Sequence, residues 1–243
     1  CIMAAAMFLF VYFNHDFKPY WQKFNEVKSS WEISKKILSI GVPSGLQWVF
    51  EIGAFSFAVL MIGWIGAKQQ AAHLIALSLA AITYMIASGL SAAVAVRVGN
   101  YLGLKDRDGM RVAGFSAFVM VLCFMFLSAI TFIVLRNVLP QFFSKESEVI
   151  SIASSLLVIA ALFQLWDGMQ VVALGALRGL KDTVWPTVIT LIAYWAIGLP
   201  LSYLLAFKLN MGIHGIWWGL SSGLFAAALL LFLRFNFVSR TIA

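Results

Sequence analysis

Apolar residues run along this chain in long unbroken stretches, with the polar ones gathered in the gaps. Six stretches exceed twenty residues, at about 37–65, 70–96, 112–135, 149–177, 184–206 and 212–233. At ~1.5 Å of rise per residue, each is long enough as a helix to cross ~30 Å of hydrocarbon. A shorter apolar run, from Ile2 to Phe13, precedes them. Proline marks the ends: Pro43 near the start of the first span, Pro140 ahead of the fourth, Pro186 in the first turn of the fifth. Pro200 lies inside the fifth span, where a membrane helix tolerates it with a kink. The pattern predicts an all-α polytopic membrane protein, a six-helix transmembrane bundle with the end of another helix before it.

Composition strengthens that reading. The 243 residues are 62% hydrophobic and 11% charged, and the mean hydropathy is +0.93. A soluble domain carries about 25% charged residues. The net charge of +7 does not point to nucleic acid, because the basic residues sit in the gaps and form no continuous stripe. Their distribution fixes an expected orientation instead. Thirteen of the 17 Lys and Arg fall in segments 14–36, 97–111, 178–181 and after 233, against four in the alternate set. By the positive-inside rule, the connection before the first full span and the C-terminus are cytoplasmic.

Four regions follow: 1–13, 14–36, 37–236 and 237–243. The first lacks the basic region and cleavage site of a secretory signal. It reads as the back end of a helix, and the chain is expected to be a fragment of a longer protein. Segment 14–36 mixes Trp21, Phe24 and Trp31 with Lys18, Lys23 and Lys28, as segments at lipid headgroups do. Ser29 and Glu32 have capping-box spacing, although a plain linker fits equally. Residues 237–243 are the expected cytoplasmic tail. Gly215, Gly219, Gly223 and Ala227 recur every four residues and make a smooth face for close helix packing. Cys123, Met61, Met85, Met120 and Met125 read as core packing residues, and His73 as a histidine near the outer end of its span.

The candidate chemistry lies with two acids. Glu51 is the only charged residue between Ile37 and Ile65, and Asp167 the only one between Val149 and Leu177. An ionisable group inside the membrane costs ~2.5–3.5 kcal/mol on insertion scales and marks a functional site by default. Gln47 lies one turn before Glu51, with Ser44 a turn earlier, and Gln164 and Gln170 flank Asp167 at three residues. Both acids fall near mid-depth, so they are expected to face one cavity, with Gln47, Gln164, Gln170 and Tyr194 as candidate lining residues. A carboxyl group there can hold and release a proton or, when ionised, attract a metal or organic cation. On residue type and depth alone, each acid fits either that role or a hydrogen bond to a neighbouring helix. There is no HExxH pair and no Walker loop, so no enzyme is expected.

Four runs of residues resemble the multidrug and toxic compound extrusion (MATE) family. These are Gly41-Val42-Pro43-Ser44-Gly45 with Glu51 downstream, Ala71-Ala72-His73-Leu74-Ile75-Ala76-Leu77, and Arg97-Val98-Gly99-Asn100-Tyr101-Leu102-Gly103. The fourth is Asp167 followed by Gly175-Ala176-Leu177-Arg178-Gly179-Leu180-Lys181-Asp182-Thr183. The likeness runs in order through nearly the whole chain. It implies a fold of twelve helices in two six-helix lobes, of which this chain is the C-terminal lobe with the inter-lobe connector, and a missing N-terminal lobe as its partner. It also implies exchange of H⁺ or Na⁺ for organic cations across the bacterial inner (plasma) membrane, with no cofactor besides the coupling ion.

In the NorM-type branch, a glutamate and an aspartate at the places of Glu51 and Asp167 form the cation site, and they would be metal ligands only if the ion is Na⁺. The branch often has a tyrosine where Phe163 stands, the usual glutamine after the histidine is Leu74, and Ser78 replaces an asparagine; these departures alter the polar lining. The alternatives are a flippase of lipid II or lipid-linked oligosaccharide from the same superfamily, whose cavities are lined with arginine, and a non-transporting membrane subunit.

Overall fold

The computed structural model describes residues 2–14 and 31–241. Residues 15–30, which hold Lys18, Trp21, Lys23, Phe24, Lys28 and Ser29 of the connector, lie outside the described residues. The chain divides into two compact units, residues 1–39 and 40–243. In the first, helix α1 (Ile2–Phe13) carries Phe8 stacked on Tyr12. Helix α2 runs Trp31–Ile65. The second unit continues with α3 (Ala67–Gly103), α4 (Arg107–Val134), α5 (Ser147–Gly179), α6 (Val184–Lys208) and α7 (Gly212–Thr241). Six helices among the described residues are long and apolar enough to cross a membrane, as the hydropathy pattern predicts. The helices run beyond the apolar stretches because their polar ends add turns outside hydrocarbon.

Short turns join them. Asp106 caps α4 by accepting the Gly109 N–H at 2.9 Å, satisfying one of the donors a helix start leaves open. Lys105, Lys181 and Asn210 take left-handed φ values of 58°, 61° and 55° where α3, α5 and α6 end. Asp182 then accepts a bond from Arg234 at 2.8 Å, tying the α5–α6 turn to α7.

Helix α5 is the central element, packed on α3, α4 and α7. It joins two separate hydrophobic cores. One gathers Val149–Phe163 of α5 with Ala54–Ile62 of α2, Ala72–Leu79 of α3 and Ile213–Leu224 of α7. The other gathers Val171–Leu180 of α5 with Phe118 and Met125 of α4 and with Leu231 and Phe235 of α7. The stretch of α5 between them, residues 164–170, carries three buried polar side chains, Gln164, Asp167 and Gln170.

Glycine sets how closely the helices approach. A Cβ on Gly175 would run into the Ser91 carbonyl, and one on Gly179 would stand 2.6 Å from the Ala95 carbonyl. This lets α3 lie directly against α5. The Gly215, Gly219 and Gly223 row packs against Leu205–Ala206, Ser202 and Gly198 of α6, as its spacing predicts. The run Gly219-Leu220-Ser221-Ser222-Gly223 has the spacing of a hydrolase nucleophile elbow. It lies in mid-helix with Ser221 buried, where no strand-to-helix turn presents the hydroxyl.

Several packing expectations are corrected. Met61 and Met125 are core residues, but Met85 and Met120 are 69% and 59% exposed. Cys123 is also exposed. Hydropathy cannot separate them, because the outer surface of a membrane bundle is as apolar as its interior. His73 is buried, with its ring edge-on to Trp217 at 5.6 Å and neither nitrogen hydrogen-bonded.

The close approach gives a contrast between two glycines. Gly175→Ala should destabilise the full-length protein by ~1–3 kcal/mol through overpacking against backbone. Gly89→Ala, with open space around its Cβ position, should leave stability unchanged or raise it by up to ~1 kcal/mol. Thermal unfolding in detergent measures both, and equal behaviour of the two variants contradicts the tight α3–α5 contact.

Candidate acidic cavity

The site is assembled where the two cores meet. Helix α5 brings Asp167, Gln164 and Gln170; α2 brings Glu51 and Gln47; α3 brings Thr83 and Tyr84. Gly168, next to Asp167, lets α4 close in from behind, since a Cβ there would stand 2.7 Å from Met125 Cγ. On the α3 side, Ser91 donates to the Val171 carbonyl at 2.7 Å and Thr83 donates to Gln164 Oε1 at 3.0 Å. These two bonds fix α3 against α5 above and below the level of Asp167.

Glu51 and Asp167 line one cavity of about 300 Å³. Its remaining wall is mostly apolar, with Trp48, Ile52, Phe55, Val59, Leu77 and Phe163, relieved by Ser56 and Tyr84. Phe163 is held edge-on by Phe55 at 6.1 Å and backed by Trp217 at 5.5 Å. A second, polar cavity of about 100 Å³ shares Glu51, Trp48 and Tyr84 with the first. It adds Gln47, Ser88, Ser91 and, at its far end, Arg178. Glu51 therefore stands on the boundary of two compartments, an apolar one that contains Asp167 and a polar one that ends in a guanidinium.

The acids have few partners. Glu51 is 8% exposed and Asp167 7%. Gln47 lies one turn before Glu51 on the same helix, and Gln170 Nε2 donates to Glu51 Oε1 at 3.4 Å. Among the described residues, Asp167 accepts no hydrogen bond and neither acid makes an ion pair. The two carboxylates face one cavity, where two ionised acids would repel each other. An arrangement with two acids and no bonded counter-charge attracts a cation. The oxygens on the wall available to a hard metal ion are those of the two acids, Ser56 and Tyr84, and Phe163 supplies none.

The candidate lining residues divide. Gln47 lines the polar cavity. Gln164, Gln170 and Tyr194 do not line either one; they are buried behind the wall. Position on the α5 wheel places Gln164 and Gln170 beside Asp167, but α3 and α6 cover them. Tyr194 donates to Gln170 Oε1 at 2.8 Å. Two wall residues were not among the candidates: Phe55, one turn beyond Glu51 on the same helical face, and Ser88, one turn beyond Tyr84. The wheel could have supplied the first; nothing in the sequence singles out the second.

The fold and the cavity define a lobe of six membrane-length helices built around two buried acids that have no ion-pair partner among the described residues. The chain belongs to the MatE (MATE) family, whose model matches residues 43–204. It is 40% identical over 238 residues to the probable multidrug resistance protein NorM of Mesorhizobium japonicum, covering 96% of this chain and 51% of that protein. Its identity to the protein of the same name from Shewanella oneidensis is 35% over 242 residues, covering 98% of this chain and 53% of that protein. The chain thus spans about half the length of the curated relatives it matches. Among solved structures it superposes on the eukaryotic MATE transporter AtDTX14 with a TM-score of 0.84 at 25% identity, over 98% of this chain and 55% of that one. The bent form of the Vibrio cholerae MATE transporter VcmN has the same fold, with a TM-score of 0.81 at 20% identity, over 90% of this chain and 50% of that one.

The two flanking amides should differ under substitution. Gln164 Nε2 is buried without a partner, and Thr83 also donates to the Ala80 carbonyl at 2.8 Å. Gln164→Met should therefore cost less than ~1 kcal/mol. Gln170→Met strands the buried Tyr194 hydroxyl and should cost ~1–3 kcal/mol. Thermal unfolding of the two variants side by side gives the comparison, and the reverse order contradicts this assignment of hydrogen bonds.

Proposed function

We propose that this chain carries the coupling-cation site of an antiporter that exports organic cations. Glu51 and Asp167 hold the driving ion, H⁺ or Na⁺, and its binding displaces a cationic substrate. The observation that carries the reading is the pair of acids, without ion-pair partners among the described residues, on the wall of an apolar cavity. Two positive ligands that compete for the same carboxylates exclude each other, so binding one favours the state that releases the other. The aromatic wall formed by Trp48, Phe55, Tyr84 and Phe163 suits the flat body of an organic cation, through apolar burial and cation–π attraction.

Family membership and the names of the relatives support multidrug export as the physiological role. Substrate passage needs a second six-helix lobe, consistent with relatives about twice this length. The lobe resides in the bacterial inner membrane, with residues 14–36 and the C-terminus on the cytoplasmic side. The distribution of arginine favours drug export over lipid-oligosaccharide flipping, because no arginine lines the apolar, acid-bearing cavity.

Gradient-driven export of ethidium from proteoliposomes of the full-length protein tests the proposal. Glu51→Gln and Asp167→Asn should each lower export at least ~10-fold, the scale of losing ~1.4 kcal/mol of cation binding, with protein levels unchanged. Imposing a proton gradient and a Na⁺ gradient separately identifies the ion. Undiminished export by both variants, or export indifferent to both gradients, sinks the reading.

A further inference from the structure

Two consecutive residues of α6 reach the neighbourhood of Glu51, and both lie in a stretch that is not α-helical. Residues Ile192–Gly198 form a π-helical turn, followed by Pro200 in the short α-helical stretch Leu199–Tyr203. Proline has no N–H and its ring crowds the carbonyl four residues earlier, so the wider turn before it relieves that crowding. Within this turn Tyr194 reaches α5 and Trp195 reaches α2. π turns within α-helices occur often at functional sites.

Tyr194 is fully buried and donates its hydroxyl to Gln170 Oε1 at 2.8 Å. Gln170 is fully buried as well, and its amide nitrogen faces Glu51 Oε1 at 3.4 Å. A primary amide offers an oxygen on one side and N–H donors on the other. With its oxygen claimed by Tyr194, Gln170 can present only N–H to the carboxylate; reversed, it would set one oxygen against another. The contact to Glu51 is long for a hydrogen bond, so the relay sets which face of the amide Glu51 meets more than it adds binding strength.

Trp195 acts on the backbone of the same helix. Its indole N–H donates to the Phe50 carbonyl at 3.0 Å, and its ring lies 3.3 Å from where a Cβ on Gly53 would stand. The α6 turn thus grips α2 on both sides of residue 51.

We propose that Tyr194 is a positioning residue for the acidic site. It acts through Gln170 to orient the donor that Glu51 meets, and with Trp195 it makes the π turn of α6 the support of the site. The inference rests on the reading that Glu51 holds the coupling cation.

The test is ethidium export by the full-length protein in proteoliposomes as a function of the driving ion, Na⁺ titrated at fixed pH and protons titrated without Na⁺. Tyr194→Phe should raise the half-saturating ion concentration about five-fold, as expected for one hydrogen bond, with a smaller change in maximal rate. Gln170→Leu should have at least that effect. The double variant should be no worse than Gln170→Leu, because the hydroxyl acts only through the amide. Trp195→Phe, at a partly exposed position, should shift the ion dependence in the same direction and stands in if Tyr194→Phe folds poorly. An unchanged half-saturation in both aromatic variants, or effects of Tyr194→Phe and Gln170→Leu that simply add, overturns the proposal. If Glu51→Gln exports normally, the coupling reading fails instead. If Glu51→Gln abolishes export while the aromatic variants keep wild-type ion dependence, only the positioning role fails.

Discussion

Two carboxylates held away from water without a bonded counter-charge are the constraint around which this lobe is organised. A buried carboxylate is costly unless something compensates it. Glu51 is compensated in part by the Gln170 amide, while Asp167 has no hydrogen-bonding partner among the described residues. Such a pair persists only where the surrounding structure leaves the side chains no alternative. Two hydrophobic cores, one on each side of residues 164–170 of α5, supply that frame. Gly168 and Gly175 let α4 and α3 press against α5 on either side of the acid. A packed interior does not deform gradually, so the acids stay where the cores hold them.

The same frame explains why Glu51 borders two compartments of different chemistry. Toward Phe163 and Leu77 the wall offers apolar and aromatic surface; toward Ser88 and Ser91 it offers hydroxyls and ends at Arg178. Arg178 makes no ion pair among the described residues. It lines the same polar cavity as Glu51, while Asp167 lies on the apolar side. The two acids are thus unequal in surroundings although they share a cavity, and an ion bound between them would meet different electrostatic environments on its two sides. Helix α6 adds the remaining asymmetry, because its π turn bonds to Gln170 and to the α2 backbone and, among the described residues, makes no hydrogen bond to Asp167.

Much of this was legible in the chain itself. The six spans follow from apolar length, since a bilayer of fixed thickness demands about twenty residues per crossing. The two acids stand out because charge is so scarce within those spans, and the glycine row of α7 is visible from its four-residue period. The sequence could not reveal which side of each span faces inward. Met85 and Met61 look alike as residues, yet one is exposed and the other is core, because in a membrane both surroundings are apolar and hydropathy loses its power to sort them. His73 looked interfacial by depth and is buried against Trp217.

Length, charge scarcity and spacing therefore determined the number of spans and the identity of the acids, since each depends on the chain alone and on the thickness of a bilayer. Tertiary structure alone decided that Gln170 and Tyr194 stand behind the cavity wall, that Ser88 and Arg178 open a second compartment, and that a π turn ahead of Pro200 supports Glu51. Those outcomes depend on how closely helices far apart in sequence approach one another and how each is rotated about its axis. In an apolar solvent that rotation is set by side-chain packing and by a few hydrogen bonds between helices, not by a difference in hydropathy along any one of them.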